Sequence, residues 1–179
     1  MNATECIETR RSIRKFKPDS VDHSLIERIV SSASYAPSWK NTQIARYFVV
    51  EGELKDKIAS ECCLQYSHNG DIIKEAPMLV VTAFVKSRSG FERDGSFSTA
   101  KEGGWQMFDT GIATQTFCLE AHENGLGTVI MGIFDDSKVA SILEIPDTME
   151  VACLIPIGYP DEAPQAPKRK EVSDLLVFK

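Results

Sequence analysis

Apolar residues gather in a few patterned stretches. Leu25, Ile26, Ile29, Val30 and Ala33 recur at helical spacing behind Asp22, a favoured N-capping type, and the pattern stops at Pro37. Arg46 to Val50 is a short β-rich run, and Leu54 to Leu64 has helical character. Glu75-Ala76-Pro77 then breaks the chain before Met78 to Val85, whose near-continuous apolar run predicts a strand buried on both faces. Lys86 to Gly104 is rich in Ser, Gly and charge, the composition of a mobile loop or lid. Trp105 to Asn124 reads as a long helix apolar on more than one side, which places it deep in a core or at a subunit interface. Gly125 and Gly127 follow it in the manner of a C-cap.

Beyond that helix, Thr128 to Phe134 predicts a second buried strand, and Asp135-Asp136-Ser137 caps a short helix reaching Leu143. Val151 to Ile157 predicts a third strand, closed by Gly158-Tyr159-Pro160. The remaining tail is rich in Pro and Lys but ends in apolar Leu175-Leu176-Val177-Phe178, too apolar to lie free in water. It is expected to pack on something, a partner chain included. The mixture predicts an α+β fold, and 179 residues predict one domain over 1–179. No period of about 20–50 residues repeats, so a solenoid is not expected.

Composition narrows the setting. Twenty Lys+Arg against 26 Asp+Glu give a net charge of −6, which disfavours nucleic acid as a partner. The longest apolar run is far shorter than the about 20 residues a bilayer span needs, and the start lacks the pattern of a signal peptide. Five cysteines, with Cys62 and Cys63 adjacent and no CxxC pair, suggest reduced thiols and a cytoplasmic protein. No membrane association and no metal site are expected.

Charge is unevenly distributed. Residues 10–17 (Arg-Arg-Ser-Ile-Arg-Lys-Phe-Lys) hold five cations, and Lys168-Arg169-Lys170 hold three more. Without them the chain has 12 basic against 26 acidic residues, net −14. Two concentrated basic segments in an acidic chain fit a discrete anion site, because guanidinium forks match phosphate oxygens. A solvated surface cluster is the alternative, but interleaved Ile13 and Phe16 would anchor the segment to a core. Ala36 to Gln43 (Ala-Pro-Ser-Trp-Lys-Asn-Thr-Gln) is dense in hydrogen-bonding side chains beside an aromatic wall, suited to a flat heterocycle with imide-like edges. An ordinary connection between helix and strand would also use such residues.

Gly125 to Gly132 has the wrong glycine spacing for a dinucleotide fingerprint and runs from helix into strand, the reverse of the Rossmann order. Gly132 instead suggests close approach of a backbone to a ligand or neighbouring chain. There is no Walker A, HExxH or GxSxG sequence. His23, His68 and His122 are scattered, Asp135-Asp136 suits a helix cap, and Cys118 suits a small core residue. With no acid–base pair or nucleophile, no catalytic side chain is assigned, and the chemistry would fall to a cofactor.

Taken in order, Arg-Arg-Ser-Ile-Arg-Lys-Phe near residue 10, Ala-Pro-Ser-Trp-Lys-Asn-Thr-Gln near 40, Gly-Leu-Gly-Thr-Val-Ile-Met-Gly-Ile-Phe near 130 and the basic tail resemble the nitroreductase family of FMN-dependent oxidoreductases, in a short form. The resemblance implies an α+β sandwich with a central antiparallel sheet flanked by helices, and an intertwined homodimer with tightly bound FMN at each of two interface sites. It implies that Arg10, Arg11, Ser12 and Arg14 hold the phosphate and ribityl chain, with Lys168 or Arg169. Pro37, Ser38, Trp39 and Asn41 would come from the other subunit, with Gln43 supporting the loop. Ile130, Met131, Gly132 and Ile133 would pass the flavin, a Gly132 N–H lying near N5. The implied activity is transfer of hydride from NADH or NADPH through flavin N5 to a small-molecule acceptor such as a nitroaromatic or quinone, in a ping-pong cycle. Same-fold chemistry such as dehalogenation or enone reduction, and non-catalytic FMN binding or sensing, remain open alternatives.

Overall fold

The computed structural model describes residues 1–179. At its centre lies a fully antiparallel four-stranded sheet. The strands are β1 (Ala45–Val50), β2 (Met78–Val85), β3 (Gly127–Thr128) and β4 (Met149–Gly158), in the spatial order β1-β2-β4-β3. Successive side chains of a strand point to opposite faces. Met78 and Val80 therefore enter one core with Ile155 and Ile157, and Leu79 and Val81 enter the other with Leu154.

Helices cover both faces. The first core is roofed by α2 (His23–Ala33), through Leu25, Ile26 and Ile29, and by α5 (Gly104–Glu123), through Phe117, Cys118 and Ala121. The second is covered by α3 (Gly52–Cys62), α4 (Ser67–Glu75) and α6 (Asp136–Ile142), through Ile58, Ile72, Ile73 and Val139. Burying one such aliphatic side chain contributes about 1.5–3 kcal/mol. Double coverage explains why β2 is apolar at nearly every position. The result is an α+β sandwich with a central antiparallel sheet flanked by helices, as the motifs implied.

Local signals acted as expected in several places. Asp22 accepts the Ser24 N–H at 2.8 Å, and Asp135 accepts the Lys138 N–H at 2.9 Å. Past the end of α5, Gly125 sits at φ +78°, and Leu126 N–H closes on Ala121 O at 2.9 Å. All five cysteines are buried free thiols, and Cys118 is a core residue. No helix is long and apolar enough to cross a membrane.

Other segments depart from the expectation. Thr128 to Phe134 is not a continuous buried strand. Ladder pairing stops at Thr128, only Met131 rejoins the sheet by bridging Leu154, and Ile130 and Ile133 are exposed. Lys86 to Gly104 is more constructed than its composition suggests. Ser89 is fully buried, Phe91 and Phe97 pair with ring centroids 4.9 Å apart, and Ser98 N–H reaches Gly90 O at 2.8 Å. Helices α1 (Ala3–Thr9), α4 and α7 (Val172–Leu175) have no counterpart in the apolar pattern. In the tail, Val172, Leu175, Leu176, Val177 and Phe178 are all exposed, so the chain itself does not cover them.

Candidate functional site

The basic segment hangs from the sheet by its apolar residues. Ile13 and Phe16 are buried, Ile13 N–H bonds to Thr128 O at 3.0 Å, and Lys17 N–H bonds to Tyr159 O at 2.9 Å. Glu162 adds a clip, its Oε1 accepting the backbone N–H groups of Arg14 (2.5 Å) and Lys15 (3.2 Å). The backbone is thus fixed by the sheet and by Glu162. None of Arg10, Arg11, Arg14, Lys15 and Lys17 forms an ion pair within the chain. Two of them fold back onto backbone carbonyls: Arg11 Nη1 donates to Glu8 O (2.6 Å) and Arg10 O (2.8 Å) at the end of α1, and Arg14 Nη1 donates to Ser12 O at 3.4 Å. Nearby His122 lies 2.9 Å from Thr9 Oγ1. Burial, then the Arg10 charge, push its pKa below the usual histidine value.

Arg14 shares a groove of about 200 Å³ with Ile130, Met131, Gly132 and Ile133. Met131 is fixed by two hydrogen bonds to Leu154 (2.8 and 3.1 Å), which turns its neighbours outward. Gly132 faces open space, with nothing within 4 Å of where a Cβ would stand, and its N–H has no partner in the chain. The other wall is α4 and the residue before it: Tyr66, His68, Asn69 and Ile72. Asn69 is 9% exposed and donates to Ile133 O at 3.1 Å, fixing that carbonyl. The sequence reading missed this wall. A helical offset linking Asn69 to Ile72 and Ile73 was the available signal.

Residues 36–43 form a second cluster elsewhere. Lys40, Asn41 and Gln43 have φ of 45°, 55° and 47°, left-handed conformations that non-glycine residues seldom adopt. The loop is held by Ser38 Oγ accepting the Gln43 N–H (3.0 Å), and by Trp39 N–H donating to Asp109 Oδ2 (2.8 Å). The Trp39 ring packs against Trp105, centroids 4.9 Å apart. Pro37, Ser38 and Gln43 border an apolar groove of about 610 Å³ between α2, β1 and α5. Asn41 is exposed. Lys168 and Arg169 border a separate hollow on the tail with Lys170, Glu171 and Asp174.

One chain therefore brings Arg14 together with Ile130–Ile133, and Pro37 with Ser38 and Gln43. The two grooves share no residue, and neither includes Lys168 or Arg169.

A protein-family model described as the nitroreductase family matches residues 7–70 and 63–159. The chain belongs to the nitroreductase family. A candidate NADH dehydrogenase/NAD(P)H nitroreductase of Methanothermobacter thermautotrophicus is 31% identical over 169 residues, covering 92% of this chain and 80% of that protein. The crystal structure of a nitroreductase family protein from Clostridium novyi NT is 32% identical with a TM-score of 0.77, over 93% of this chain and 89% of that one. A candidate nitroreductase from Exiguobacterium sibiricum, crystallised in complex with FMN, has a TM-score of 0.85 at 17% identity, over 100% and 98% of the two chains. The last comparison speaks to the fold alone.

Proposed function

We propose that this nitroreductase-family chain is an FMN-dependent NAD(P)H oxidoreductase. The observation that carries the reading is the groove where Arg14 meets the open face and unpartnered N–H of Gly132. A flat heterocycle with a ring nitrogen that accepts a hydrogen bond would approach that backbone closely because glycine leaves no Cβ in the way. Bound there, FMN would supply two-electron chemistry, taking hydride from NADH or NADPH at N5 and passing it to a small acceptor such as a nitroaromatic or quinone once the oxidised nicotinamide has left.

The chain's own residues bind and orient. Arg10 and one of Lys168 or Arg169 would neutralise the phosphate and the Ser12 hydroxyl would donate to it, each charge-assisted hydrogen bond being worth roughly 1.5–3 kcal/mol. Arg11 would act at second hand, since its guanidinium is occupied by the carbonyls of Glu8 and Arg10. Arg14 would face the ring edge in the groove, and the Gly132 N–H would donate to the ring. No side chain is assigned as acid or base; solvent would supply protons.

Pro37, Ser38, Trp39 and Asn41, with Gln43 supporting them, would complete the site from a second copy. Their groove is separate from the Arg14 groove, and the exposed apolar tail residues, with exposed Met107 and Phe108 of α5, give a homodimer surface to bury. The test is an anaerobic absorption spectrum of the purified protein. A bound-flavin spectrum that bleaches with NADH or NADPH, and an Arg10→Ala/Arg14→Ala variant that loses the flavin, are expected. A flavin that binds without bleaching would leave a flavin-binding protein without this activity. A colourless protein that does not take up added FMN would overturn the reading.

A further inference from the structure

Asp109 is a carboxylate in an unusual place. It lies within α5, is 4% exposed, and forms no ion pair. A buried carboxylate is costly unless hydrogen bonds replace its water. Here they come from two distant segments onto one oxygen. Oδ2 accepts the Trp39 N–H at 2.8 Å and the Ser89 hydroxyl at 2.6 Å. Ser89, itself fully buried, lies 2.6 Å from Thr42 Oγ1. One carboxylate thus ties α5 to both ends of the strained loop and to the Lys86–Gly104 segment.

The same face of α5 adds a second grip. Trp105 precedes Asp109 by four residues, so the two share a helix face, and the Trp105 ring meets the Trp39 ring at 4.9 Å. The helix therefore holds Trp39 by its ring and by its N–H at once. A loop with three left-handed non-glycine residues keeps that shape only when its surroundings over-determine it.

We propose that Asp109 is a positioning residue that holds Ser38–Gln43 in its cofactor-receiving shape and, through Ser89, couples that loop to the 86–103 segment. The proposal rests on the FMN reading for what the loop receives, but its structural half stands without it. Asp109→Leu would keep the branched four-atom side chain, somewhat enlarged, and remove both acceptor bonds, whereas Asp109→Asn can place its one carbonyl oxygen where Oδ2 stands. Ser89→Ala would cut the buried link to 86–103, leaving only the exposed Lys40–Glu92 ion pair (3.1 Å) between the two segments, and spare the Trp39 bond.

Two readouts separate the claims. The first is amide hydrogen exchange at residues 39–43 without FMN; the second is FMN affinity by fluorescence quenching, with the visible circular dichroism of the bound flavin. Asp109→Leu is expected to speed Trp39 exchange and weaken FMN binding, each by about 10-fold or more, and to change the flavin dichroism. Asp109→Asn should restore both to within about 3-fold. Ser89→Ala should speed exchange in 86–99 and in 42–43 while Trp39 stays protected. Wild-type affinity and dichroism in a folded Asp109→Leu protein would overturn the proposal. Should that variant not fold, unchanged exchange at 42–43 in Ser89→Ala would overturn the coupling. A wild-type protein that does not bind FMN would sink the flavin reading alone, since the exchange data still decide what Asp109 holds.

Discussion

Gly127→Ala tests whether the basic segment is held at a fixed distance from the sheet. A Cβ at position 127 would stand 2.7 Å from Ile13 Cγ1, 2.8 Å from Ile13 Cβ and 2.9 Å from Ile13 Cγ2. Rotating Ile13 cannot relieve this, because its Cβ is fixed by the backbone and a branched side chain has few rotamers. The backbone of 12–14 must move away from β3, stretching the 3.0 Å bond from Ile13 N–H to Thr128 O. Overpacking of this kind costs about 1–3 kcal/mol, and a weakened hydrogen bond about 1 kcal/mol. Reduced freedom of the unfolded chain returns about 0.4–1 kcal/mol. A net loss of about 2 kcal/mol follows, a fall of about 4–8 °C in melting temperature for a chain of this size. Urea unfolding of the FMN-free protein measures the first effect. Titration with FMN measures the second, a loss of affinity as Arg10 and Arg14 shift with their backbone. An unchanged urea midpoint would refute the packing argument. A destabilised protein with unchanged FMN affinity would refute the link from Gly127 to the cations.

Gly132→Ala is expected to behave in the opposite way, leaving FMN-free stability equal or slightly raised because nothing lies within 4 Å of its Cβ position. Its FMN affinity should drop at least about 3-fold, and unaltered binding would remove Gly132 from the site. His122 contributes a pH effect of known sign. Burial and Arg10 hold its folded pKa below the ordinary 6.5, so the unfolded chain binds more protons at lower pH. Stability should fall as pH drops from 6.5 through the folded value, and His122→Gln should flatten that decline. Parallel urea midpoints in the two proteins between about pH 7.5 and 5.5 would dismiss it. Deleting residues 171–179 removes Val172, Leu175, Leu176, Val177 and Phe178, all exposed in the chain. Sedimentation velocity should then show dimer converting to monomer; an unaltered dimer would mean the tail does not hold it.

What the sequence disclosed follows from how local each signal is. Met78–Val85 was legible because a strand covered on both faces must be apolar at successive positions. Asp22 and Gly125 were legible because capping is settled within a few residues. The run from Val129 to Ile133 was not, since consecutive apolar residues do not say which of them faces inward. The structure buries Val129 and Met131 and exposes Ile130 and Ile133, and the exposed pair lines the Arg14 groove. Helix α4 escaped for another reason. Its sequence SHNGDIIKE has little apolar periodicity, and its end is secured from outside, where Lys55 Nζ of α3 donates to Ile73 O (2.9 Å) and Lys74 O (3.0 Å). Asp109 was hidden because an acid on a helix ordinarily faces water, and its partners are 70 and 20 residues away in sequence. The basic segment and the loop at 36–43 were visible as clusters of chemistry, but their placement in separate grooves depends on chain packing that no local pattern encodes.

Three features of the isolated chain share one property: each is unfavourable as it stands. Five cations crowd residues 10–17 without an ion pair, a four-residue stretch carries three left-handed non-glycine residues, and a tail exposes five large apolar side chains. Stability of a domain is only about 5–15 kcal/mol, so such costs persist where something compensates them. The compensations differ in kind. Clustered guanidinium groups are relieved by an anion, left-handed residues by a ligand or network that fixes them, and exposed aliphatic side chains by another apolar surface. Within the chain the second is partly met by Asp109 and Ser89, and the first only by Glu162, which bonds the backbone of Arg14 and Lys15 without pairing with their side chains. The first and third call for different things, a phosphate-bearing ligand and a second copy. A site assembled from separate grooves by dimerisation would meet both demands in one event, which is why the proposed cofactor and the proposed dimer stand or fall on linked but separable measurements.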